Sequence, residues 1–252
     1  MKKLIAALMA SAMLVSLLSG CVRIPKNTAG PSTSDNTRVS SPSPSNAKSP
    51  SDGYSAYMDM KGDAIDRISN SVSSDDPESL GVAMTLVGYS MMDMSMLWLT
   101  AFTQDAAVAQ SALAMMGVKD VKVTGSGNNY SITYSDSDGK AVTQTCQYDP
   151  AKDQLTSTLK DADGTVTMFF EYINLGGAYA AQYYYPDENG TYQVIRSFFD
   201  KDNIAAFGTL TATAEPDSII GKSSLNEDFV VNSESYIIFK DGELTTFDQG
   251  GE

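Results

Sequence analysis

The feature that most constrains the fold of this 252-residue chain is a change of hydrophobic period at Val118. Beyond it, apolar and polar residues alternate, as in the run Tyr130-Ser131-Ile132-Thr133-Tyr134, which is the pattern of half-buried β-strands. Turn dipeptides that accept positive φ recur between these rows: Asp138-Gly139, Asp163-Gly164, Asn189-Gly190 and Asp241-Gly242. The pattern predicts an antiparallel meander of about eight to ten strands joined by two-residue hairpins.

The region before Val118 has helical spacing instead. Apolar residues in 54–72 recur at the helical period, and Asp76 followed by Pro77 is typical of a helix start. An apolar run follows at 80–102, and a third short helix is predicted at about 104–116. Helices first and strands afterwards predict an α+β fold. We expect N-terminal helices packed on one face of a large antiparallel β-meander, either a twisted sheet or a half-barrel.

The first residues have the layout of a secretory signal. Met1-Lys2-Lys3 is positively charged, residues 4–18 are almost wholly apolar, and the segment ends in Leu18-Ser19-Gly20-Cys21. This ending resembles the lipobox of bacterial lipoproteins. The resemblance implies removal of a signal peptide, residues 1–20, and a diacylglycerol thioether on Cys21. Because two acyl chains bind a bilayer stably, we expect a protein anchored by lipid to the extracytoplasmic face of the cell membrane.

The composition divides the mature chain into two parts. Residues 24–53 are rich in Ser, Pro, Thr, Asn and Gly, and they contain too few large apolar residues to form a core. We therefore expect the lipidated cysteine and a disordered tether at 21–53. A single α+β domain is predicted at 54–252.

The absence of histidine excludes several chemistries. Ser-His-Asp and Cys-His catalysis and the common zinc-hydrolase motifs all require it. With lipid on Cys21, Cys146 has no disulfide partner, and we expect a buried structural thiol there. Loss of Lys2 and Lys3 with the signal peptide would lower the net charge from −14 to −16, which disfavours nucleic acid as a partner.

Two short motifs match functional signatures but lack the surrounding features that those sites require. The stretch Ser157-Thr158-Leu159-Lys160 matches S-x-x-K, but it lies in a strand-like pattern, whereas that nucleophile motif starts a helix. The stretches Asp136–Gly139 and Asp161–Gly164 look like parts of calcium loops. However, Thr145 and Phe170 stand where the ligating glutamate would be, so hairpin turns are favoured. We predict no catalytic residue, no metal site of this kind and no cofactor.

Methionines crowd the apolar run, at Met91, Met92, Met94 and Met96. Core packing by adaptable side chains is the favoured interpretation. The alternatives are a groove for an apolar ligand and a thioether site for Cu(I). A membrane-spanning helix is disfavoured by Asp93 in the middle of the run.

Tyrosines are concentrated in the central strands. They either pack in a half-buried sheet or form a ligand or partner face, since tyrosine offers rigid contact area with a polar tip. The candidate residues for such a face are Tyr172, Tyr179, Tyr183, Tyr185 and Tyr192.

Together these features favour an envelope lipoprotein with a non-catalytic binding or scaffolding domain. Its partner would be a protein, a glycan or a small apolar ligand. The alternative from a different class is a glycan-active hydrolase or transferase that uses carboxylates alone. That alternative requires two acids facing each other across a cleft, about 5–10 Å apart. Cu(I) handling by the methionines is a minor alternative.

Overall fold

The computed structural model describes residues 49–72, 77–95, 111, 118–126, 128–136 and 138–248. The signal peptide, Cys21 and nearly all of the predicted tether lie outside the described residues. The same holds for the predicted helix at 104–116, apart from residue 111.

The first helix, α1, is Pro50–Ser71. The side chain of Ser49 caps it by accepting a hydrogen bond from the backbone N–H of Asp52 at 3.2 Å, and Pro50 occupies the first turn. The fold therefore begins ahead of Tyr54, the predicted start of the domain. The Ser49-Pro50 start of the helix lies at the end of the predicted tether.

The second helix, α2, is Pro77–Ser95 and begins at the predicted proline. Its residues Leu86 and Tyr89 are buried, whereas Met84 and Val87 are exposed. Among the described residues, no helix combines the length and the apolar character needed to cross a membrane.

In the described ranges, ten strands form one sheet, and each strand pairs antiparallel with its neighbours in the sequence, so that the order is β1 to β10. The predicted antiparallel, β-rich architecture with helices is confirmed at this level. The strands are β1 Lys119–Ser126, β2 Asn129–Ser135, β3 Ala141–Asp149, β4 Gln154–Lys160, β5 Val166–Asn174, β6 Ala178–Pro186, β7 Tyr192–Asp200, β8 Ile204–Ala212, β9 Ser235–Lys240 and β10 Glu243–Asp248.

The sheet buries residues on both faces. We call the face that contacts α1 the inner face, and it carries the larger core, which includes Tyr172, Phe199 and Phe207. The opposite, outer face carries a smaller core. That core is closed by residues 213–234, here called the outer segment, which includes the one-turn helix α3, Asp228–Val231. Ile219 and Val230 are its fully buried anchors.

The turns differ from the prediction in length. Of the four predicted turns, only Asp241-Gly242 forms a two-residue hairpin, with positive φ of 52° and 88°. The other three turns are longer, because the first aspartate of each binds backbone N–H groups within the turn. Asp187, for example, accepts from the N–H groups of Asn189 at 2.7 Å and Thr191 at 3.0 Å.

Candidate functional site

The five candidate tyrosines do not share one surface. Tyr172 and Tyr179 are fully buried on the inner face, where Tyr183 and Tyr185 are partly exposed with ring centroids 5.9 Å apart. Tyr192 lies on the outer face, because alternate residues of a strand point to opposite sides. Only Tyr183 and Tyr185 remain together as candidates for contact with a ligand.

The buried tyrosines surround a buried acid that the sequence patterns did not single out. Asp153 lies in the β3–β4 turn at a positive φ of 49° and is only 3% exposed. Its carboxylate accepts hydrogen bonds from the hydroxyls of Tyr148 and Tyr172 at 3.2 Å and of Tyr179 at 2.6 Å. The side-chain amide of Asn174 donates a fourth bond at 3.1 Å. This Asp153 cluster has the donors that a buried carboxylate needs.

The electrostatics of the Asp153 cluster keep its phenols protonated. Burial raises the pKa of Tyr148, Tyr172 and Tyr179 above the usual range for tyrosine, and the nearby Asp153 carboxylate adds to the shift. At neutral pH the three hydroxyls are therefore protonated and donate to this acid. The arrangement stabilises the turn.

A second buried acid lies on the outer face. Glu171 accepts hydrogen bonds from Gln182 Nε2 at 3.1 Å, from Ser218 Oγ at 2.6 Å and from the backbone N–H of Ile219 at 2.9 Å. Burial raises the pKa of Glu171, and these hydrogen bonds oppose the rise. Ser218 and Ile219 belong to the outer segment, so Glu171 fastens that segment to the sheet.

The two buried acids do not form a carboxylate pair. Asp153 is bonded to Tyr172 on the inner face, whereas Glu171, the preceding residue on β5, points to the outer face. They are the only acids among the buried residues that the structure describes. Buried acids of this region therefore do not supply the facing pair that the hydrolase alternative requires.

The inner face has a small open cleft of about 20 Å³ between α1, α2 and strands β5 to β8. A volume of this size holds about one water molecule, so a larger ligand would have to lie across the mouth of the cleft. We call it the Lys61 cleft. Its walls are mainly aromatic and apolar, and the lining residues are Tyr57, Lys61, Tyr89, Phe170, Ala181, Gln182, Tyr183, Ile195, Ser197 and Phe207.

Lys61 provides the charge in this cleft. The residue is only 6% exposed, and its Nζ donates to the backbone oxygen of Tyr89 at 3.3 Å. The same nitrogen lies 5.9 Å from the ring centroid of Phe207, at the outer limit of a cation–π contact. The cleft therefore places a positive charge beside apolar and aromatic surface, and this environment favours an acidic group on an apolar body.

The position of Lys61 follows from how α1 is held. Because Gly53 has no side chain, the ring of Tyr148 can pack against the start of helix α1. A Cβ atom at position 53 would lie 2.6 Å from that ring. Near the other end, the Arg67 guanidinium donates to the backbone oxygens of Asp200 at 2.6 Å, Ile204 at 2.9 Å and Lys201. Both ends of α1 are thus fixed to the sheet.

Sequence reasoning missed Lys61, although a signal was present. The buried residues of α1 recur at alternating spacings of three and four, and Lys61 occupies the middle position of this stripe. A lysine at a core position of an amphipathic helix is unusual and marks either a buried polar contact or a site. The other members of the stripe are Tyr54, Tyr57, Ala64 and Ile68.

The remaining predicted site residues fall partly outside the described region. Met91, Met92 and Met94 belong to α2, but their side chains are not described, and Met96 lies outside the described residues. Cys146 is buried, and burial raises the pKa of its thiol, in keeping with an unreactive structural residue. In the described ranges, no group of three or more Cys, Asp and Glu residues is arranged to hold a metal ion.

Comparison with known proteins finds no relative of this chain. No protein-family model matches it, and no curated protein or solved structure is significantly similar to it.

Proposed function

We propose that this chain is a lipoprotein of the extracytoplasmic membrane face whose domain binds a small amphiphilic ligand without catalysis. The ligand class is a molecule with an apolar or aromatic body and one acidic group, which would lie across the mouth of the Lys61 cleft with the acid toward the ammonium. The lipobox-like Leu18–Cys21 and the Ser/Pro-rich segment behind it support the anchored location. The membrane itself, through lipid on Cys21, is then the first partner.

The observation that carries the binding proposal is the burial of the Lys61 ammonium among aromatic rings that border an open cleft. Ligand sites are typically apolar concavities with a few placed polar groups that fix orientation. Phe170, Ile195 and Phe207 supply the apolar wall. Tyr183, only partly buried, supplies a rim that a ligand can reach.

The curvature of the sheet is part of this proposal. Helix α1 contacts strands β3, β4, β7, β8, β9 and β10. These strands are widely separated across the sheet, and one helix can contact all of them more readily if the sheet curves around it. The contacts therefore support a half-barrel with the helices on its inner face. The Lys61 cleft would then be the unfilled part of the concavity.

A matched pair of fluorescent probes tests the ligand class. Anilinonaphthalene sulfonate carries an acidic group on an aromatic body, and N-phenylnaphthylamine has nearly the same body without the acid. The folded domain should bind both saturably. Lys61→Met should weaken binding of the sulfonate at least about tenfold, since a charge-assisted hydrogen bond contributes about 1.5–3 kcal/mol. Binding of the uncharged probe should stay within about twofold, because a contact with no charge on the ligand does not depend on the ammonium.

The controls separate the cleft from the rest of the surface. Lys61→Arg keeps the charge and should retain most of the affinity. Lys152→Met removes an exposed lysine, whose side chain is 63% accessible, and should change neither probe. Melting temperatures establish that each variant is folded. The proposal is wrong if the folded Lys61→Met variant binds the sulfonate as tightly as the original chain.

A further inference from the structure

The two edges of the sheet differ in how they are protected. Edge strand β1 has a register shift between Lys119 and Lys122 and a residue with positive φ, Asp120, at 56°. Irregularities and lysines of this kind discourage pairing with another strand. Edge strand β10 has neither: its register with β9 is continuous from Glu243 to Asp248, and it contains no lysine, proline or glycine.

The register identifies the backbone groups that β10 leaves open. The two-residue turn makes Lys240 and Glu243 a hydrogen-bonded pair, and pairing then alternates along the ladder. The N–H and C=O groups of Leu244 and Thr246 consequently point away from β9. Within the described part of the chain, β10 is the last strand of the sheet and pairs with β9 alone.

The charges around this edge indicate what could pair with it. Glu243 and Asp248 are exposed at its two ends, and Asp241 precedes it. The nearby Lys240 is already bonded to Glu227. A second copy of this chain would bring the same acidic edge and a net charge of −14, so self-pairing is opposed electrostatically.

We propose that β10 is a docking edge for an extended segment of another protein that carries basic residues at its ends. Main-chain hydrogen bonds to Leu244 and Thr246 would provide the pairing, as in other cases of strand addition. Phe247, which is 46% exposed and stacked on Tyr236 at 5.3 Å, would receive an apolar side chain on the outer face. This surface is separate from the Lys61 cleft and does not depend on its ligand.

The test uses a fluorescein-labelled seven-residue peptide of alternating threonine and valine with a lysine at each end. Thr246→Pro removes one outward N–H without altering charge or the bonds to β9, and proline is tolerated on edge strands. It should weaken peptide binding about tenfold, whereas Thr246→Ala should leave it unchanged. On binding, the amides of Leu244 and Thr246 should gain protection from hydrogen exchange.

A second peptide separates strand pairing from simple charge attraction. The same peptide with N-methylated backbone amides keeps its charge and should not bind. Equal binding of the methylated peptide, or of the Thr246→Pro variant, would overturn the docking edge. A concentration-dependent dimer in analytical ultracentrifugation that Thr246→Pro abolishes would show instead that the occupant is a second copy.

Discussion

The Asp153 cluster shows at the scale of single residues how a buried charge is accommodated in this fold. Three tyrosines and an asparagine from β3, β5 and β6 converge on one turn residue. The strand pattern predicted that aromatic residues would line the sheet. It could not predict that their hydroxyls meet at Asp153, because that meeting depends on the exact register of the successive strands β3 to β6.

The Asp153 cluster makes stability sensitive to alkaline pH. The folded-state pKa of Tyr179 lies above its ordinary value of 10, mainly through burial, so above about pH 10 the folded state binds more protons than the unfolded state. The stability contributed by the protonated phenol is complete below pH 10 and is lost as pH rises toward the folded pKa. Tyr179→Phe should therefore flatten the fall of the unfolding free energy above pH 10, by up to about 1.4 kcal/mol per pH unit.

Urea denaturation followed by circular dichroism from pH 8 to 11 checks this expectation. At pH 8 the same variant should be about 1.5–3 kcal/mol less stable, since it loses a hydrogen bond to a charged acceptor. Tyr185→Phe, outside the Asp153 cluster, should change the stability at pH 8 by less than about 0.5 kcal/mol. Identical slopes for Tyr179→Phe and the original chain would contradict the assignment.

At the scale of secondary-structure elements, the outer segment illustrates what sequence patterns do not reveal. Strands and their two-residue period were predictable because β-branched and aromatic residues alternate with polar ones. Residues 213–234 have no such period, and their role in closing the outer face appears only when Ile219 and Val230 meet the sheet. Likewise, the cleft beside Lys61 is lined by residues of strands β5 to β8, and helical spacing alone does not show that these strands lie against the helix.

The docking of the outer segment depends on a glycine in β8. A Cβ atom at Gly208 would lie 2.7 Å from Ser233 Oγ and 2.9 Å from Val230 Cγ1, which is closer than unstrained contact allows. Gly208→Ala should therefore lower the free energy of unfolding by about 1–3 kcal/mol through overpacking. Limited proteolysis should cut the outer segment faster in this variant. A matched control is Gly62→Ala in α1, where nothing lies within 4 Å of the added methyl group.

For that control we expect a gain of about 0.5–1 kcal/mol, because alanine favours an exposed helix interior more than glycine does. Both variants can be compared by urea denaturation. Unchanged stability of Gly208→Ala would mean that the outer segment can move away from the sheet at little cost.

At the scale of the whole molecule, the prediction concerns anchoring. Cys21→Ala removes the thiol that would carry lipid, so the protein should lose labelling by radioactive palmitate and leave the membrane fraction or remain an uncleaved precursor. Cys146→Ala is the matched control: its thiol is buried in the domain, and the variant should retain both label and membrane association. A mature-size Cys21→Ala protein that still sediments with membranes would refute lipid anchoring.

The order of the strands affects how this fold can evolve. Every strand that the structure describes is hydrogen-bonded only to the strands that precede and follow it in the chain. Similar turns, each beginning with an aspartate that accepts from backbone N–H groups, recur at Asp136, Asp161 and Asp187. Two successive strands and their turn therefore form a unit whose duplication or loss leaves the other pairings, and the side each residue faces, unaltered. The breadth of the sheet is thus free to grow or shrink by whole hairpins, and with it the area of the inner face.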